Sequence, residues 1–267
     1  MSQALRVLLE TLIDYAGLYP PASLPFEKAV ANYEAYRGGE HAWALGRLVV
    51  PIAKAADVPA DFPLAVVIPS VSEESAVSRF LADARKDVVI EIKATSAQDI
   101  DRIAAFAQGR TAYVEIDDLA LIEPIARHRL RAKLRTGGVT AVAFPAGETV
   151  AAFIQACRNR NVAFKATAGL HHPIRCVKPL TYETNAATGT MHGFLNVFIA
   201  AALPQFAAKI MREENPRAFA FDDGGLWWHD CRVTIEELAR VRETFAISFG
   251  SCSFEEPISD MKELGWL

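Results

Sequence analysis

The sequence contains no apolar run near the ~18–20 residues that a membrane-crossing helix needs. The longest candidate, Gly193 to Leu203, falls well short and is interrupted by Asn196. No charge sign predominates, with 28 Lys and Arg against 32 Asp and Glu for a net charge of −4. That balance lacks the basic face expected of a nucleic-acid binder. The four cysteines (Cys157, Cys176, Cys231, Cys252) are scattered with no CxxC pair, which argues against a zinc site or a disulfide frame and for reduced thiols in the cytoplasm. There is no low-complexity segment, no block of like charge, and no GxGxxG after the first apolar run, which weakens a dinucleotide-binding reading. The N-terminal stretch MSQALRVLLETLIDYAG has acids inside its apolar run and no cleavage pattern; it reads as an amphipathic helix, not a signal peptide.

What is present is 267 residues at 51% hydrophobic, ample for a large core. Short apolar runs alternate with amphipathic stretches. The predicted strands are Leu45–Pro51, Leu64–Ser70, Val88–Thr95, Thr111–Asp117, Arg131–Gly137, Ala163–Gly169, Ala218–Asp222 and Phe245–Ser251. Helices are expected over EESAVSRFLADARK after Ser72, over QDIDRIAAFA behind Ser96 and Asp99, over Glu148–Arg160, and over Thr234–Thr244 with Thr234 and Glu237 as a capping box. Eight such alternations predict an α/β fold, a single (β/α)8 TIM barrel spanning 1–267. An open doubly wound sheet is the alternative. Residues 1–43 are expected as a helical extension, with a Pro-rich turn around Tyr19, that plugs the barrel bottom or folds over its mouth. In the latter case Asp14 and Tyr15 would line the site.

Strand parity carries the functional signal. Side chains alternate between two faces. Ile90, Ile92 and Ala94 oppose Glu91, Lys93 and Thr95. Ala112, Val114 and Ile116 oppose Tyr113, Glu115 and Asp117. Ala132 and Leu134 oppose Arg131, Lys133 and Arg135; Phe164 and Ala166 oppose Lys165 and Thr167. Helices cover the outside of a barrel, so the apolar face belongs there and the charged one points inward. Glu91, Lys93, Glu115, Asp117, Lys133, Arg135 and Lys165 would then meet near the C-terminal mouth, where barrel active sites lie. Burying seven ionisable groups merely as structural pairs is expensive, so the cluster is read as a site.

The stretch AKLRTGGVT, a helix, and then VAFKATAGL resembles consecutive strands of the deoxyribose-phosphate aldolases, class I aldolases on a barrel. The resembling residues are Lys133 with Thr136 and Gly137, and Lys165-Ala-Thr-Ala-Gly-Leu. The resemblance implies a Schiff-base lysine on the sixth strand, here Lys165, and a proton-relaying acid, here Asp117 or Glu115. That family's second lysine, on the seventh strand, has no counterpart in AFAFDDGG. A Schiff-base lysine must shed its proton near neutrality, which crowding by Lys133 and Arg135 would favour.

Other candidates lie in loops. His171 and His172 follow the Lys165 strand in a long connector. Thr167, Gly225, Ser248, Gly250 and Ser251 could bind substrate, with Gly225, Gly250 and Ser251 as a phosphate grip. His192, near the start of the helix GFLNVFIAAAL, could favour an anion, although helix capping accounts equally well for the neighbouring Thr190. Cys252 reads as a small buried filler in preference to a reactive thiol, and Trp227 and Trp228 as packing.

Three function classes follow. The first is a lyase or aldolase-like enzyme using no cofactor and acting on a small phosphorylated or carboxylated carbonyl compound. The second is a lyase, isomerase or hydrolase dependent on a divalent metal ion, held by Glu91, Glu115, Asp117 and His171. The third is a non-catalytic barrel for an anionic metabolite. The expected partner is the small anionic molecule, with neither nucleic acid nor membrane involved; homo-oligomer formation is left open.

Overall fold

The computed structural model describes residues 1–73, 77, 78, 80 and 87–267. The helix expected over 73–86 falls for the most part outside them. Eight parallel strands close into a barrel. They are β1 (Ile13–Tyr15), β2 (Leu45–Pro51), β3 (Leu64–Ile68), β4 (Val88–Lys93), β5 (Ala112–Glu115), β6 (Arg131–Arg135), β7 (Phe164–Thr167) and, closing against β1, β13 (Ala246–Ser251). Between β7 and β13 lie a two-stranded ribbon, β8 (Cys176–Pro179) with β9 (Thr188–Met191), and an antiparallel sheet of β10 (Phe219–Phe221), β11 (Gly225–Trp228) and β12 (Cys231–Thr234). The fold is a TIM barrel.

Two strand assignments differ from expectation. Residues 1–43 are not an extension, because they supply the first stave. Ile13 pairs with Phe249, and Tyr15 with Ser251. The run Ala218–Asp222 is not in the barrel; its core, β10, pairs antiparallel with β11. The first stave is only three residues long, too short for an alternation to register, and its middle residue is an acid. The Phe-Ala-Phe of β10 has strong strand character but is paired with a hairpin.

Parity behaves as the sequence indicates. Ile90, Ile92, Val114, Ala132, Leu134, Phe164 and Ala166 join the large core beneath the helices. A smaller interior cluster holds Ala16, Val49, Ala65, Val89 and Tyr113, with Val67 and Ile247 against it. Strand β13 departs from simple alternation. A register shift between Ala246 and Phe249 turns Ile247 toward the interior alongside Ser248, while Phe249 packs outward and stacks on Phe194.

The capping boxes form as expected. Ser96 and Asp99 open helix Ala97–Ala107, and Thr234 and Glu237 open helix Ile235–Thr244. The apolar stretch from Gly193 becomes helix Phe194–Ala202, whose residues are buried through Ala201. Its Asn196 is fully paired, accepting from Arg175 N–H and donating to the carbonyls of Ile210 and Glu213. Among the described residues no helix is long and apolar enough to cross a membrane.

Candidate functional site

The inward charges of β4 to β7 meet in register. Glu91 pairs with Tyr113, Lys93 with Glu115, Glu115 with Lys133, and Lys133 with Lys165 along the hydrogen-bonded ladder. Lys133 Nζ lies 2.8 Å from Glu91 Oε2 and 3.1 Å from Glu115 Oε2. Arg135 Nε donates to Glu115 Oε1 at 3.0 Å. Lys165 Nζ donates to Glu91 Oε1 at 2.5 Å and to Asp14 Oδ2 at 2.6 Å. Asp14 is fully engaged, since Ser248 O–H donates to Oδ2 and Arg47 N–H to Oδ1, both at 2.7 Å. Three carboxylates (Asp14, Glu91, Glu115) therefore neutralise three cations (Lys133, Lys165, Arg135).

The electrostatics follow from that pairing. Burial would raise the Glu91 carboxyl, but the ammonium groups of Lys133 and Lys165 outweigh it and hold Glu91 at about 2. Burial likewise opposes the charge of Lys165, and Asp14 and Glu91 overcome it, pushing the amine above its ordinary value. For Glu115, burial is again outweighed by Lys133 and Arg135, which leave it below the ordinary carboxylate range.

A cavity of about 450 Å³ opens at the C-terminal end of the strands. Glu91, Lys93, Glu115, Lys133, Arg135, Thr167, His171 and Gly250 line it, against an apolar wall that includes Val49, Val67 and Ile92. Lys165 does not reach it; that side chain is 1% exposed. At the opposite end a cavity of about 640 Å³ is lined by Asp14, Arg47, Tyr113, Arg242 and Ser248, among others. Lys165 thus ties Glu91, on the floor of the mouth, to Asp14, which lines the lower cavity. In that lower cavity Arg47 pairs with Asp87 at 2.5 Å, and Arg242 donates to the carbonyls of Leu8, Glu10, Ala246 and Ile247. Its cations are spent on the scaffold.

Several sequence candidates fall elsewhere. Lys93 and Asp117 form a rim pair at 2.6 Å, largely in solvent. Asp117 is therefore not a buried proton relay. Gly225 belongs to the β10–β12 sheet, where its N–H donates to Asp222 Oδ1, so the Gly225, Gly250 and Ser251 phosphate grip does not form. Ser248 is spent on Asp14, and Ser251 accepts from the Ser253 N–H. His172 is held by Asp260 at 2.6 Å. His192 contacts the Pro145 carbonyl, and burial lowers its basicity. Tyr15 faces outward, accepting from Asn32. The metal set is also not assembled. Glu91 and Glu115 face ammonium and guanidinium groups, Asp117 faces Lys93, and His171 faces Glu256. Among the described residues no group of three or more metal-ligating side chains converges.

Two participants were not placed in the site by sequence, and a third was placed there only conditionally. Asp14, expected at the mouth if residues 1–43 folded over it, instead joins the charge cluster from the lower cavity, on the strand no alternation revealed. Tyr19 lines the mouth with a buried hydroxyl that meets no partner among the described residues, and burial and the nearby Glu91 raise it. Cys252 also lines the mouth, with its sulfur near His171 Nε2.

No protein-family model matches the sequence, and no curated protein matches it. Among solved structures the chain is similar to the crystal structure of a lysine/ornithine decarboxylase from Vibrio vulnificus complexed with cadaverine. The TM-score is 0.40 and the identity 16%, over 62% of this chain and 48% of that one. The chain spans about half the length of that protein.

Proposed function

We propose that this barrel is an aldolase-type lyase acting on a small anionic carbonyl compound, with Lys133 as the nucleophile. One observation carries the reading: of the two interior lysines, Lys133 alone lines the mouth cavity, and it stands there between two carboxylates. Counted from Ile13–Tyr15, Lys133 with Thr136 and Gly137 lies on the sixth stave and Lys165 on the seventh. In the resemblance to deoxyribose-phosphate aldolases those strands carry the Schiff-base lysine and the second lysine. Strand order thus favours Lys133 for the role that the Lys165-Ala-Thr-Ala-Gly-Leu motif gives to Lys165, and of the two only Lys133 lines the cavity.

The chemistry needs a neutral amine, a proton carrier and an anion grip. Lys133 hands its proton to Glu115, within reach at 3.1 Å. Its lone pair forms the C–N bond to the substrate carbonyl, and the carbonyl oxygen, after taking up two protons, leaves as water. The protonated imine then accepts the electron pair of the breaking C–C bond. Glu115, nearer the opening and tied to Arg135, moves protons. Arg135 and Lys93 receive the anionic group, and the unpartnered Tyr19 hydroxyl donates to a substrate oxygen. Lys165 stays charged and holds Glu91 ionised. The cavity volume suits a small metabolite.

Borohydride reduction in the presence of pyruvate, glyoxylate or dihydroxyacetone phosphate tests this. The expected outcome is a mass adduct that peptide mapping places on Lys133. Absence of any adduct across the three, or an adduct unaffected by Lys133→Met, overturns it.

A further inference from the structure

Cys252, read from sequence as filler, is the inner end of an ordered chain of groups. It follows β13 directly and lines the mouth cavity. His171 Nε2 stands 4.0 Å from its sulfur, and His171 Nδ1 stands 2.9 Å from Glu256 Oε2. The Tyr182 hydroxyl donates to the same Glu256 oxygen at 2.7 Å and lies 3.7 Å from the sulfur. From the cavity outward the order is thiol, imidazole, carboxylate: nucleophile, base and orienting group, at the loose spacing common before a ligand binds. With Glu256 ionised, Nδ1 donates to it and Nε2 faces the sulfur, placed to hold the proton that leaves the thiol. Although burial disfavours its charge, His171 is pushed up to about 9 by Cys252 and Glu256. The other titratable groups around this sulfur are Tyr15 on β1, Glu255 beside it, Tyr182, and the His172–Asp260 pair behind His171.

We propose that Cys252, activated by His171 and oriented through Glu256, is a second, carbonyl-directed nucleophile of the mouth cavity that captures an anionic aldehyde as a hemithioacetal. The aldehyde rests on the function proposed above; the thiol's reactivity stands by itself. In the step, the thiol proton rests on His171 Nε2 and the sulfur, relieved of it, forms a C–S bond to the aldehyde carbon. The carbonyl π pair moves to oxygen, which takes the proton back from His171. Nothing is oxidised or reduced, and reversal releases the aldehyde. In a lyase such an adduct would hold the aldehyde fragment while the other fragment remains on Lys133.

The test is iodoacetamide alkylation of the intact, folded chain near neutral pH, followed by peptide mapping. Cys176 and Cys231, both partly exposed, serve as internal references. Cys252 is expected to react about ten-fold faster than either, and His171→Gln to remove that advantage. Glyoxylate is expected to protect Cys252 in the wild type and in Lys133→Met, whereas glycolate, which has no carbonyl, gives no protection. Lys133→Met leaves each carboxylate a cation, Lys165 for Glu91 and Arg135 for Glu115. Cys252 reacting no faster than the references, a native-like His171→Gln with an unchanged rate, or equal protection by glycolate overturns the proposal. A Lys133 adduct beside an inert Cys252 sinks this inference alone. A reactive, glyoxylate-protected Cys252 without any lysine adduct sinks the proposed lyase mechanism alone.

Discussion

Replacing Lys165 by Met probes the floor of the cavity directly. The substitution keeps much of the buried volume and deletes the ammonium that two carboxylates share at 2.6 and 2.5 Å. The damage is unequal. Glu91 retains Lys133 at 2.8 Å, whereas Asp14 is left, among the described residues, with the Ser248 hydroxyl and the Arg47 N–H as donors. One stranded charge, not two, sets the cost, which for a broken buried pair is about 3–5 kcal/mol. For a chain of this size that corresponds to a fall in melting temperature of about 10 °C. Chemical and thermal denaturation near neutral pH measure it. Adding Asp14→Asn removes the stranded charge and should recover about half of the loss or more. A Lys165→Met protein within about 1 kcal/mol of wild type, or a second substitution that deepens the loss, would refute the account of this floor.

Other outcomes follow from the same contacts. Glu91 sits at about 2 when folded against about 4.3 when free, so its contribution of about 3 kcal/mol is present above the free value and lost as pH falls through about 2. Acid titration of stability should show that slope in the wild type and a shallower one in Glu91→Gln. The opposite sign holds for His171. Raised to about 9 from about 6.5, it stabilises fully below the free value and loses that contribution as pH climbs through about 9; His171→Gln should flatten this alkaline decline. Arg135 is half exposed and shares Glu115 with Lys133, so Arg135→Gln should change the melting temperature little yet weaken glyoxylate binding about ten-fold by calorimetry.

The charged interior was legible because β4 to β7 alternate strictly and helices must cover one face. An eight-strand count came out right with one wrong member, since the Phe-Ala-Phe of β10 stood in for the short Ile-Asp-Tyr of β1. A signal for the missing stave was nevertheless present. Once Lys93 and Asp117 pair at the rim, the seven inward groups leave three cations facing two acids, and a buried cation needs a partner. Asp14, an acid between Leu12, Ile13 and Tyr15 in a buried run, supplies it. The bulge in β13 was hidden because Ile247 and Ser248 turn inward together, which no period of two describes. Cys252, His171 and Glu256 carry no local motif; His171 stands 81 positions before Cys252 and 85 before Glu256, and only barrel closure joins them.

The most direct measurement is electron density from crystals soaked with pyruvate and reduced with borohydride. The account expects continuous density from Lys133 Nζ to the ligand carbon, with the carboxylate turned toward Arg135 and Lys165 still bridging Asp14 and Glu91. Ligand bound to Lys165, or lodged outside the mouth with Lys133 unmodified, would contradict it.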